Sequence, residues 1–371
     1  MKNRFFEEIH GKFGFGCMRL PMIGEQVDLP QFEKMVDAFL ASGLNYFDTA
    51  HVYIGGQSET ALRQCLTSRY PRERFVLTNK LSGSCFETEA DIRPFFESQL
   101  EACGVEYFDF YLMHAQNAKN FQKYKACRAY ETAFELKKEG KIRHVGISFH
   151  DTAEALDQIL TEYPEIEAVQ IQFNYVDYED AVVQSRRVYE TAVKHGKPVI
   201  VMEPVKGGKL VELPEEAQKI FDSLQGGSNA SYAIRFAAGF ENMMMVLSGM
   251  STIEQLSENV SYMADFQPLS DTERAAVEQV QHIFRSQGLI PCTACRYCVD
   301  GCPMQIPIPD LFSVANAKKQ FPKSDHAGAY AFRTNGKGKA SDCIKCGACE
   351  RICPQKLPVR KLLEEVAESF E

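Results

Sequence analysis

The sequence predicts an α/β protein in two parts, a (β/α)8 TIM barrel followed by a small cysteine-rich α+β domain. Three observations carry this. Short apolar runs alternate with amphipathic stretches over about the first 265 residues. Ionisable side chains stand at the ends of successive apolar runs. Eight of the 13 cysteines fall in the last 80 residues.

The strand–helix units follow in order. Phe13–Cys17 precedes the helical pattern Gln31–Ala41, and Leu44–Phe47 precedes Glu59–Thr67. Phe75–Asn79 is followed by Glu89–Ala102, Phe108–Met113 by Ala126–Lys138, and Ile142–Ile147 by Ala153–Leu160. Ala168–Gln172 leads to Asp180–Lys194, Pro198–Met202 to Ala230–Ala238, and Met243–Leu247 to Ile253–Met263. The strands are apolar on both faces, as expected where helices cover a parallel sheet. Gly43, Gly104, Gly140 and Gly196-Lys197-Pro198 punctuate the joins. An open doubly wound sheet would produce the same string. The polar residues favour the barrel, where chemistry collects at the C-terminal strand ends. Asp48, Thr49, Ala50 and Tyr53 follow the second strand, Lys80 ends the third and His114 ends the fourth. A further helix, Thr272–Arg285, leads into the tail. The expected division is a barrel over 1–265, a helical linker over 266–287 and a cysteine domain over 288–371.

Composition bounds the function. The chain is 45% hydrophobic and 25% charged, with a formal net charge of −9. That balance argues against nucleic-acid binding. No apolar stretch approaches a membrane span. Residues 1–20 hold no apolar run longer than Phe5-Phe6, so no secretory signal is expected and the chain is expected to be cytoplasmic. Residues 288–371 carry 12 Lys+Arg and 9 Asp+Glu, a net +3 that leaves −12 on the remainder.

The tail repeats one pattern. Cys292, Cys295, Cys298 and Cys302 precede Pro303; Cys343, Cys346, Cys349 and Cys353 precede Pro354. Each reads C-x2-C-x2-C-x3-C-P, the ligand run of proteins that hold two [4Fe–4S] clusters, where the fourth cysteine ligates the other cluster. Cys292, Cys295, Cys298 and Cys353 are therefore expected to bind one cluster, and Cys343, Cys346, Cys349 and Cys302 the second. Disulfides need an oxidising compartment, and zinc sites use cysteine pairs. The tail resembles a bacterial-type two-cluster ferredoxin. Cys17, Cys65, Cys85, Cys103 and Cys127 lack ligand spacing and read as small buried hydrophobes.

The remainder resembles the aldo-keto reductases from about residue 11 to 262. The matching motifs are Gly14-Phe15-Gly16-Cys17-Met18-Arg19-Leu20-Pro21, Phe47-Asp48-Thr49-Ala50-His51-Val52-Tyr53, Gln57-Ser58-Glu59 and Thr78-Asn79-Lys80. Leu112-Met113-His114, Gly140–Ser148, Gln170 and Phe173-Asn174 continue the series. The combination with the cysteine tail looks like the ferredoxin-fused branch of that family.

The resemblance implies hydride transfer between NAD(P)H and a carbonyl or alcohol. It makes Tyr53 the proton donor, Lys80 the cation that lowers its pKa, Asp48 the partner of Lys80, and His114 the group that orients the carbonyl. His51, His144 and His150 read as structural or substrate-facing. Ser148 and Gln170 are implied as ligands of the nicotinamide carboxamide. Family members often place Asn after that serine, whereas this chain has Phe149, and Asn174 is the expected substitute. Met202 stands where many relatives carry a stacking aromatic residue. Lys206–Leu210 reads either as a loop that wraps the pyrophosphate, with glycines allowing close backbone approach, or as a simple βα turn. Gly249 and Ser251 are placed to receive a phosphate at a helix N-terminus, and Glu258-Asn259 matches the adenine-binding pair. No Lys or Arg occurs from Val246 to Asn259, where NADP-using relatives grip the 2′-phosphate, so NADH stays open beside NADPH. The expected clusters leave three uses open: a structural role, transfer to an external electron carrier as a further partner, or one-electron chemistry at the substrate. The competing reading is an electron-transfer or redox-sensing iron–sulfur protein whose barrel serves as a scaffold.

Overall fold

The computed structural model describes residues 3–180, 183–224, 226–292, 296–353 and 355–371. Its eight parallel strands close into a barrel. They are β1 (Phe13–Gly16), β2 (Tyr46–Asp48), β3 (Val76–Leu81), β4 (Phe108–Gln116), β5 (Ile142–Phe149), β6 (Ala168–Gln172), β7 (Val199–Met202) and β8 (Met243–Gly249). Each pairs with the next in the chain, and β8 closes on β1 through Phe13↔Val246 to Gly16↔Gly249. Closure removes both sheet edges, which an open sheet would have kept.

Alternation along each strand sorts side chains between the barrel interior and the helical shell. Tyr46, Val76, Phe110, Leu112, Ala168, Ile200 and Leu247 form the interior cluster. Phe5 and Phe6 pack against it, with Phe6 edge-on to Phe110 at 5.0 Å between ring centroids. These rings fill the end at which the strands begin. Gly146 allows a close approach in this layer, because a Cβ there would stand 2.7 Å from both the Ala168 carbonyl oxygen and Leu112 Cδ2. Continuing the same alternation toward the C-terminal ends puts Asp48, Lys80, His114, Ser148, Gln170 and Met202 on the interior face.

Several boundaries differ from the sequence expectation. The helix expected over Ala126–Lys138 is two, Ala118–Ala126 and Ala129–Lys138. The break falls at Arg128, whose φ of 52° lies in the left-handed region, and the Asn117 side chain caps the earlier helix at Asn120 N. Asp180–Lys194 shortens to Ser185–Lys194. A small hairpin, Met22–Ile23 with Gln26–Val27, and a helix over Glu215–Asp222 were not anticipated.

The residues fall into two compact units, one within 1–178, 183–207 and 227–272, the other within 179–182, 208–226 and 273–371. Beyond Ser286 the regular elements described are helical, among them Ile308–Gln320, His326–Thr334 and Val359–Phe370. Leu311, Phe312, Tyr330, Val359, Leu363 and Val366 form their core. No described helix is long and apolar enough to cross a membrane.

Candidate active site and cluster cavities

Asp48 closes β2, and Lys80 is the penultimate residue of the neighbouring β3. The Lys80 ammonium donates to Asp48 Oδ1 at 2.6 Å and to the Thr49 carbonyl at 2.8 Å. Lys80 has no solvent exposure and Asp48 only 3%. Gln170 Nε2 donates to Asp48 Oδ2 at 3.2 Å. Burial opposes the ammonium, but the Asp48 carboxylate and the Tyr53 hydroxyl outweigh it and hold Lys80 above its ordinary pKa. Burial likewise raises the Asp48 carboxyl, against the pull of Lys80 and Gln170.

Tyr53 begins a tight turn, Tyr53–Gly56, in which Ile54, Gly55 and Gly56 all take positive φ. That turn brings the phenol back over the strand ends. Lys80 Nζ lies 4.8 Å from the ring centroid. The His114 ring meets the Tyr53 ring edge-on, 6.0 Å between centroids. The four side chains therefore meet.

The electrostatics correct one expectation. Burial raises the Tyr53 phenol above its ordinary value, and the Lys80 ammonium offsets this only in part while Asp48 adds to it. Lys80 pulls downward as anticipated, but desolvation is larger and the net shift is upward. His114 is lowered to about 3, first by burial and then by the charges of Lys80 and His150. Its Nδ1 lies 2.7 Å from Ser82 Oγ. His150 is open to solvent, yet the protein around it and the charge of Lys80 lower its pKa as well. Sequence reasoning had given Ser82 no role and left His150 ambiguous. Each follows a strand end, which was the available signal.

A buried network supports Lys80 from behind and explains the motifs around Gln57-Ser58-Glu59 and Thr78-Asn79-Lys80. Glu59, 1% exposed, accepts from Asn79 at 2.8 Å and Gln99 at 3.1 Å. Gln99 also donates to the Lys80 carbonyl at 3.1 Å, while Asn79 Oδ1 accepts from Lys80 N at 2.8 Å. Ser58 links Thr49 Oγ1 to the Cys17 carbonyl. His51 pairs with Glu59 at 2.8 Å.

The remaining expected ligands divide. Ser148 and Gln170 are buried side by side in the β5–β6 register, and Met202 pairs with Gln172 at the end of β7. Asn174 is taken up by its own loop: its amide donates to Asp177 and the Glu203 carbonyl, and its oxygen accepts from Val176 N and Asp177 N. Lys206 is ion-paired with Asp177, which is 2% exposed. Gly249 ends β8. Ser251 and the Thr252 cap precede the helix Ile253–Met263. On that helix Glu258 is exposed, and Asn259 donates to Ser248 Oγ at 3.2 Å.

In the second unit two cavities separate the cysteines. One is lined by Cys292, Cys298 and Cys353 with Ile308, Phe312 and Leu357. The other is lined by Cys302, Cys343, Cys346 and Cys349 with Ile306, Ile308 and Leu363. Each sequence run thus lends its last cysteine to the other's cavity. Soft thiolates in an apolar surround suit an iron–sulfur cluster. Cys295 and Pro354 lie outside the described residues. Of the remaining cysteines Cys17, Cys65, Cys103 and Cys127 are buried and Cys85 is partly exposed.

Comparison with known proteins bears on the family and the fold. The aldo/keto reductase family model matches residues 12–282, and a 4Fe-4S dicluster domain model matches residues 291–357. An NADH-specific methylglyoxal reductase of Escherichia coli is 26% identical over 260 residues, 59% of this chain and 78% of that protein. An L-galactose dehydrogenase of Arabidopsis thaliana is 25% identical over 307 residues, 74% of this chain and 93% of that protein. The holo form of an aldo-keto reductase from Bacillus halodurans superposes with a TM-score of 0.61 at 25% identity, covering 76% of this chain and 96% of its own. An aldo-keto reductase from Klebsiella pneumoniae in complex with NADPH gives a TM-score of 0.61 at 21% identity, over 76% and 95% of the two chains.

Proposed function

Because the chain belongs to the aldo/keto reductase family and carries a 4Fe-4S dicluster domain, we propose that it interconverts a small carbonyl compound and its alcohol with a nicotinamide cofactor. Tyr53 is the proton donor, and the C-terminal unit holds two [4Fe–4S] clusters. The observation that supports this best is the meeting of Tyr53, Lys80, Asp48 and His114 at neighbouring strand ends.

The nicotinamide, when bound, supplies the hydride. The protein's own residues manage the proton. A phenol raised by burial stays protonated at neutral pH and can donate to the oxygen that becomes an alkoxide. Lys80, kept as an ammonium by Asp48, stabilises the phenolate left behind. His114 is neutral; with Nδ1 accepting from Ser82 Oγ–H, its other ring nitrogen carries the proton and donates to the carbonyl oxygen. Ser148 and Gln170 orient the carboxamide, and Met202 packs on the ring.

The clusters, when assembled, pass single electrons. Cys292, Cys295, Cys298 and Cys353 hold one; Cys302, Cys343, Cys346 and Cys349 hold the other. An external electron carrier is their natural counterpart. The test is an anaerobic activity screen over aldehydes, ketones and sugar derivatives, with NADH and NADPH side by side. Absence of both nicotinamide binding and turnover would favour the scaffold reading, in which the barrel only carries a redox module.

A further inference from the structure

The end of the barrel where the strands begin carries a cavity that none of these roles uses. Its volume is about 150 Å³, which suits a single six-membered ring. Arg4, Phe5 and Lys12 wall it from the chain ahead of β1, and Met263 and Phe266 from the end of the helix Ile253–Met263 and the turn beyond. Hydrogen bonds pin the leading segment. Asn3 Nδ2 donates to the Gly11 carbonyl at 2.9 Å and to the Met244 carbonyl at 2.8 Å, and Val246 N donates to the Lys12 carbonyl at 2.8 Å. Lys12 is half-buried, yet its ammonium makes no ion pair among the described residues. Its hydrogen bond to the Ala238 carbonyl is long at 3.4 Å, and it stands 5.6 Å from the Phe266 ring centroid. Burial lowers its pKa, and the nearby Arg4 charge lowers it further. Arg4 pairs with Glu241, whose carboxylate is 86% exposed, a contact worth little in water. A partly desolvated ammonium beside a second cation is costly until an anion joins them.

We propose that this cavity binds a small organic carboxylate, its head between Lys12 and Arg4 and its apolar body against Phe5, Met263 and Phe266. The planar fork of Arg4 and the point charge of Lys12 both match a carboxylate. The rest of the wall asks for an apolar body. Asn3 offers a ligand little, because its amide donates to Gly11 and Met244 and its oxygen accepts from Phe5 N at 3.0 Å. The two aromatic rings and the Met263 thioether remain, surfaces that suit a ring of the size the cavity admits. Lys12 immediately precedes β1, whereas Tyr53 follows the end of β2. The cavity therefore lies at the opposite end of the strands from the proposed carbonyl site and does not depend on the nicotinamide reading.

The test titrates benzoate into the full-length, anaerobically prepared protein carrying methyl-13C methionine, with the Met263 signal assigned through Met263→Leu. Benzoate is expected to shift that signal saturably and to bind about tenfold or more tighter than benzyl alcohol or inorganic phosphate. Lys12→Met is expected to weaken benzoate about ten- to a hundredfold, the range of a lost charged hydrogen bond. Lys12→Arg is expected to keep most of the affinity, and Arg4→Leu to lose affinity by a smaller factor than Lys12→Met. A benzoate Kd unchanged in both Lys12→Met and Arg4→Leu overturns the proposal and puts the probe elsewhere, such as beside His114. Benzyl alcohol binding as tightly as benzoate overturns the anionic head, and phosphate binding as tightly overturns the apolar body. The absence of any saturable Met263 shift overturns the site itself. If Lys12→Met does not fold, Arg4→Leu decides, since its side chain is exposed, and an unchanged Kd there overturns the proposal.

Discussion

The Lys80 ammonium lies 2.6 Å from Asp48 Oδ1, and neither side chain reaches appreciable solvent. A buried ion pair of this kind costs more to break than it gains in forming. Lys80→Met should therefore damage stability as well as turnover, by about 3–5 kcal/mol, because the Asp48 carboxylate is left alone. Adding Asp48→Asn should return much of the stability but none of the activity. Denaturant melts and initial rates on both variants check this; equal rescue of both properties would mean that Lys80 acts only structurally.

Tyr53→Phe should lower carbonyl reduction by about 10²–10⁴-fold, the range of a lost general acid. Nicotinamide binding should stay near wild type, since the ring is kept. Retention of most activity on a confirmed substrate would remove Tyr53 from the proposed role.

His114 predicts an acid-limb stability effect. Its folded pKa of about 3 lies below the ordinary imidazole value, so below about pH 6.5 the unfolded chain binds the proton more readily. Stability should fall as pH drops from about 6.5 toward 3. His114→Asn should flatten that limb in urea melts recorded across the range. An unchanged slope would place the acid sensitivity elsewhere.

Cys302→Ala should damage the cluster associated with Cys343, Cys346 and Cys349 rather than the one nearest in sequence. Two cubanes correspond to about eight iron and eight sulfide per chain, and this variant should lose about half. Zinc without iron in strictly anaerobic preparations would count against cluster binding altogether.

NADH should bind within about tenfold of NADPH, or better. A missing charge-assisted contact to the 2′-phosphate removes about 1.5–3 kcal/mol, roughly ten- to a hundredfold. Parallel titrations decide it. An NADPH preference beyond about a hundredfold would require a basic group outside Val246–Asn259.

Much of this was legible in the chain. The strands announced themselves as runs apolar on both faces, and the cysteine runs as a doubled ligand spacing. Asp48, Lys80 and His114 stood out as ionisable residues at strand ends. These signals are local, set by the two-residue strand period and by side-chain chemistry. Only the tertiary structure could decide what depends on distant neighbours. Closure of the sheet rests on β8 meeting β1. The net rise of the Tyr53 phenol is a balance of desolvation against Lys80. The Asp177 that engages Lys206 and the Phe266 that shares a cavity with Lys12 come from separate stretches of chain. Desolvation and charge pairing act through space, so no window of sequence contains them.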